Sequence, residues 1–106
     1  MAITAIAMNA QAPYAIPRYV ADTLMRDLVG HDRRPSAFLV YLAIAAQAQN
    51  GVRSMSHREL AEFTGLSRRA AQDAVAHLLR RGFIEVDRKG PTETASYRAL
   101  TPWKRA

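Results

Sequence analysis

Two arginines, Arg68 and Arg69, follow a serine and precede a glutamine and an aspartate in the run Ser67-Arg68-Arg69-Ala70-Ala71-Gln72-Asp73. A guanidinium is a rigid planar fork of donors. It fits two acceptors at once, such as two phosphate oxygens or the O6 and N7 atoms of a guanine. Gln72 both donates and accepts. Asp73 stands four residues after Arg69, so on a helix the two can pair across the surface. That carboxylate can steer the guanidinium, accept a bond from a cytosine amine, or complement the positive end of the helix dipole; the intrahelical pair is the reading we favour. Two further polar pairs, His57-Arg58 and Arg88-Lys89, offer donors to anions.

Catalytic chemistry is not expected. The three histidines, His31, His57 and His77, are far apart in sequence, and no H-E-x-x-H, no G-x-S-x-G and no phosphate-binding glycine loop is present. There is no cysteine, which removes disulfides, thiolate metal sites and a thiol nucleophile. No cofactor and no metal site is therefore expected. The chain has 106 residues and a formal charge of +6, with a pI near 10.5, in the range of nucleic-acid binders. The charge is uneven. From Ser67 onward nine basic residues face four acids, a balance of +5, and the remainder is close to neutral. Uneven basic charge attracts polyanions.

The first elements to look for are those that would hold these side chains. Ser56 and Glu59 form an S-x-x-E capping box, in which serine oxygen and glutamate carboxylate each satisfy an orphan amide of a helix's first turn. Gly65 suits the left-handed residue that ends this helix, and Ser67 caps the next. Within the second helix Ala71, Ala74, Val75 and Leu78 make an inward stripe at spacings of three and four, and Gly82 stops it. Leu60, Ala61 and Phe63 or Thr64 face inward in the first. Two helices joined by so short a turn must cross steeply.

Around this pair the pattern predicts a small one-domain core. Residues 1–17 read as a flexible arm, with Pro13 and Pro17 bracketing an extended link, and residues 18–106 as the domain. From Arg18 to about Leu28, Val20, Leu24 and Leu28 recur every four positions as a short amphipathic helix, ended by Gly30. Pro35 suits a first helical position. It opens a segment, Ser36 to Gln49, so apolar in its first half that it is expected to be buried on all sides. Asn50-Gly51 ends it. Val52 to Met55 is extended and can add a third edge to two alternating runs, Phe83 to Asp87 and Ala95 to Leu100. These predict a β-hairpin with Arg88 and Lys89 at its tip, followed by Trp103 as a lid on the core. The start of the chain lacks the basic region of a signal peptide, and no segment is long enough to span a bilayer. A cytoplasmic protein without a membrane partner is expected.

The order of elements over Pro35 to Leu100 resembles the winged helix-turn-helix fold, an α+β, mainly helical class with three core helices, a β-hairpin wing and here an extra N-terminal helix. The run Leu60-Ala61, Thr64-Gly65-Leu66-Ser67-Arg68-Arg69, Arg81-Gly82-Phe83-Ile84 is similar to bacterial transcription regulators and to helix-turn-helix domains of phage or plasmid replication proteins. The resemblance implies sequence-specific binding of double-stranded DNA. Residues 67–81 would be the recognition helix in the major groove, and 83–100 the wing on the backbone. It implies base contacts from Arg68, Arg69 and Gln72, with Asp73 beside them. Ser56, His57, Arg58 and Ser67 would meet phosphate, as would Arg88 and Lys89 at the wing tip. Many relatives are homodimers. The alternative is a winged helix used as a protein-interaction module, to which Asp73, Ala76 and Leu79 lend support. Arg80 and Arg81 are expected to serve structure, as cations at a helix C-terminus.

Overall fold

Apolar stripes on four helices meet in one core, over which a two-stranded antiparallel sheet closes. The structure, a computed structural model, describes residues 13–88 and 94–102. Helix α1 covers residues 18–31, α2 Pro35–Gln49, α3 His57–Thr64 and α4 Arg68–Arg81; strands β1 and β2 are Ile84–Asp87 and Ser96–Ala99. The class is α+β and mainly helical. No helix among the described residues is long and apolar enough to cross a membrane.

In α1 the stretches Val20–Leu24 and Arg26–His31 are wound with i→i+5 hydrogen bonds, as in the bond from the Asp32 amide to the Asp27 carbonyl at 2.9 Å. Val20, Leu24 and Leu28 are all buried, as their spacing predicts. Fully burying a leucine contributes roughly 1.5–3 kcal/mol relative to leaving it exposed, which holds this helix on the core. The helix does not stop at Gly30. It runs to His31, and the left-handed residue of the reversal is Arg33, at φ 55°.

Pro35 is the first residue of α2, and Asn50 its C-cap. Ala37, Phe38, Val40, Tyr41, Ala43, Ile44 and Gln47 are buried, but Leu39 is 42 % exposed. The expectation of burial on all sides fails there. α1, α3, α4 and the sheet leave one face of α2 uncovered, and the link over residues 13–17 shields it only in part. That link is tied to α2 by Gln49, whose side-chain amide donates to the Ala15 carbonyl and accepts from the Ala15 amide, both at 2.9 Å. The rest of the arm, residues 1–12, lies outside the described residues, as does Trp103.

The strands pair Ile84 with Ala99 and Asp87 with Ser96 at their two ends. The expected third edge is reduced to one bridge between Ser54 and Ser96. Bonds from the Tyr97 amide to the Arg53 carbonyl at 2.8 Å and from the Met55 amide to the Ala95 carbonyl at 3.3 Å flank it. Tyr41 locks the sheet to the helices. Its hydroxyl donates to the Leu100 carbonyl at 2.9 Å, and its ring meets Phe83 edge-on with centroids 6.4 Å apart. Burial pushes the Tyr41 phenol up to about 12.

Candidate nucleic-acid interface

The helix pair begins with the capping box. Ser56 Oγ accepts from the Glu59 amide at 3.0 Å, and Glu59 Oε1 accepts from the Ser56 amide at 2.9 Å. The helix ends at Gly65, whose φ of 83° would strain any residue with a Cβ and whose amide donates to the Ala61 carbonyl at 2.8 Å. Thr64 tightens the turn, its hydroxyl donating to the Leu60 carbonyl at 2.7 Å and accepting from the Leu66 amide at 3.3 Å. Leu66 packs on the core and pins the three-residue link. Ser67 then caps α4, with Oγ accepting from the Ala70 amide at 3.0 Å. That leaves its hydroxyl proton free to donate outward.

Burial fixes the rotation of α4. Ala71, Ala74, Val75 and Leu78 are buried, so Arg68, Arg69, Gln72 and Asp73 are left on the solvent side. Arg69 Nε stands 3.8 Å from Asp73 Oδ2, an exposed i,i+4 ion pair. The expected intrahelical pair is present, though at a separation too long for a hydrogen bond. Arg58 is exposed on α3, and His57, its first residue, is half-buried.

Arg88 follows β1 directly and is exposed. His57 links it to the helices. Burial first, then the positive charges of Arg88 and Arg68, hold the His57 imidazole below the ordinary histidine value of 6.5. Arg68 at the start of α4 and Arg88 at the end of β1 are therefore both near enough to the start of α3 to act on His57. Lys89 lies outside the described residues.

The other end of α4 carries a group of residues that sequence reasoning did not join. Asp32, in the α1–α2 loop, has a side chain only 7 % exposed. It accepts from His31 Nδ1 at 2.8 Å, His77 Nε2 at 2.7 Å and Arg81 Nε at 2.9 Å. Arg81 also donates to Asp27, and its guanidinium carbon lies 5.2 Å from the centre of the Phe83 ring. Burial alone would raise the Asp32 pKa. The bonds from His31, His77 and Arg81 outweigh it and hold the carboxyl far below the ordinary value of 3.8. Arg81 is thus a structural residue, as its position at the helix C-terminus implies. The spacing Asp27-x-x-x-His31 and His77-x-x-x-Arg81, two faces each one turn long, was the available signal.

Asp27, His31 and Asp32 bring potential ligand atoms within 4.8 Å of one another. Both carboxylates already accept from Arg81, and Asp32 from His77 as well, so this cluster is read as a structural fastening. Leu79, beside the buried stripe, is 44 % exposed. No protein-family model matches this chain, and no curated protein and no solved structure matches it.

Proposed function

We propose that this chain is a winged helix-turn-helix domain that binds double-stranded DNA sequence-specifically and regulates transcription or replication. The observation that carries the proposal is the start of α4, where Ser67 caps the helix and the buried stripe leaves Arg68, Arg69 and Gln72 exposed. Arg68 at the start of α4 and Arg88 at the end of β1 both act on His57, so the helix pair and the strand edge bring positive charge toward the same side chain. In this reading Ser56, Ser67, His57, Arg58, Arg88 and Lys89 position the duplex through phosphates. Arg68, Arg69 and Gln72 read base edges, with Asp73 orienting Arg69. The amide-rich starts of α3 and α4 add favourable dipoles toward phosphate. No cofactor takes part.

The test is selection of bound sites from a random duplex pool, followed by anisotropy titrations across salt. Neutralising phosphates releases counterions, so affinity should fall steeply with salt, by roughly 0.9 in logarithmic slope per contact. Arg88→Ala combined with Lys89→Ala should weaken binding by a similar factor on every sequence and make the slope shallower. Salt-independent or absent binding overturns the reading. It would favour the second one, a protein-interaction module, which the exposed Leu79 on α4 supports.

A further inference from the structure

We infer that the open apolar groove along the uncovered face of α2 is a binding site for a small amphipathic carboxylate, an aliphatic acid with a single anionic end. The groove has a volume of about 510 Å³. That is within the range of sites that hold small ligands, which are mostly apolar with a few polar groups that fix orientation. Its walls include Ile16 and Pro17 from the link, Leu39, Leu42 and Ala46 from α2, and Phe63 from α3. Ile16 is 57 % exposed and Leu39 42 %. Two large aliphatic side chains from different elements thus line the same groove, and covering them is favourable in proportion to the area removed from water.

Charge selects the occupant. Arg53 and Arg98 both line the groove, and among the described residues that line it none is an aspartate or a glutamate. Arg98 is half committed, since its Nε and Nη2 donate to Glu85 Oε1. Arg53 is in no ion pair among the described residues. Among the described residues its guanidinium is thus an uncommitted cation lining the groove, and a carboxylate is the planar anion that matches it. Several of the other polar groups are already engaged. The Gln49 amide is bonded to Ala15, the Thr64 hydroxyl to Leu60 and the Tyr41 hydroxyl to Leu100, so they offer little to a ligand rich in hydroxyls or amides. An apolar body with one anionic end fits this inventory; a sugar or a nucleotide does not. The groove uses none of Arg68, Arg69 or Arg88, so the inference stands whether or not the chain binds DNA.

The probe is octanoate at neutral pH, with octanol as its uncharged counterpart, titrated into the full chain by calorimetry and by amide chemical shifts. Octanoate should bind saturably, one per chain, with shifts centred on Leu39, Leu42 and Phe63. Octanol should bind about tenfold more weakly, the scale of one charge-assisted hydrogen bond. Arg53→Ala should reduce octanoate affinity to the octanol level and leave octanol unchanged, and Arg53→Lys should recover part of the difference. Three results overturn the inference. One is no saturable octanoate binding. Another is equal binding of acid and alcohol that ignores Arg53, which would leave only an apolar sink. The third is binding that appears only after removal of residues 1–12, which would mean that the chain's own start is the occupant.

Discussion

The two ends of α4 use the same residue type in opposite ways. At its start Arg68 and Arg69 extend into solvent, and the nearest carboxylate, Asp73, stands 3.8 Å from Arg69. At its end Arg81 is held by two carboxylates and covers a phenylalanine ring. The basic charge is similar; the difference lies in what surrounds it. An arginine held through Nε by Asp32 and through Nη2 by Asp27 is fixed in direction and fastens one helix to another. An arginine with a distant, exposed partner retains its donors and remains available. Counting positive residues does not reveal this, and the sign of the local field is informative only beside the inventory of partners.

The contrast can be broken most severely at the stripe both ends share. Leu78 is fully buried, and Leu78→Asp would place an unpaired charge in the core. The variant should be unfolded by circular dichroism at ordinary temperature. A cooperative, native-like melt would show that the rotation of α4 is wrong, and with it the exposure of Arg68 and Arg69.

Next in size is the anchored end. Asp32→Ala leaves His77 and Arg81 without their shared acceptor and should destabilise by about 3 kcal/mol, the low end for removing one partner of a buried ion pair. Because Asp32 titrates below its ordinary 3.8 in the folded chain, its contribution is present above that pH and is lost as the pH falls through the lowered value. The wild-type stability curve should therefore drop on acidification below 3.8, and the Asp32→Ala curve should be flatter there. The folded fraction should bind duplex as wild type does. Loss of DNA affinity beyond the loss of folded protein would contradict the division between the two ends.

The free end carries smaller effects. Arg69→Ala should lower affinity for the preferred site by about 1–3 kcal/mol and relax one base pair, most often a guanine contact. Competition against single-base variants checks it, and an equal loss on all sequences would make Arg69 a phosphate contact. Asp73→Ala should produce the smallest change, a few tenths of a kcal/mol, because exposed pairs of this spacing contribute little. If Asp73→Ala matches Arg69→Ala in size, the carboxylate itself touches the ligand.

Local features were legible in the sequence. The capping box of Ser56 and Glu59, the reversal at Gly65, the cap at Ser67 and the stripe of Ala71, Ala74, Val75 and Leu78 are each set by neighbours within a turn or two, and each was readable from spacing. The exposed set on α4 followed from that stripe. Non-local features were hidden. The spacings of Asp27 with His31 and of His77 with Arg81 mark two polar faces, but not that they meet at Asp32, since those bonds span 45 and 49 residues. The half-covered face of α2 was missed for a related reason. Leu39 is as apolar as its buried neighbours, and only the placement of the other elements decides which of them stays dry.

The bond between Arg81 and Asp27 joins residues 54 positions apart. Closing so long a loop is entropically slow to be rewarded, whereas the α3–α4 turn is assembled from contacts a few residues apart. The fastening of α1 to α4 is thus expected to form after the main folding barrier, with consequences for rates as well as equilibria. In a chevron plot Asp32→Ala should accelerate unfolding by most of its destabilisation and leave the refolding limb nearly unmoved. The N-terminal helix would then be the first part of the molecule to come away under stress, while the basic start of α4, at the other end of that helix, remained assembled.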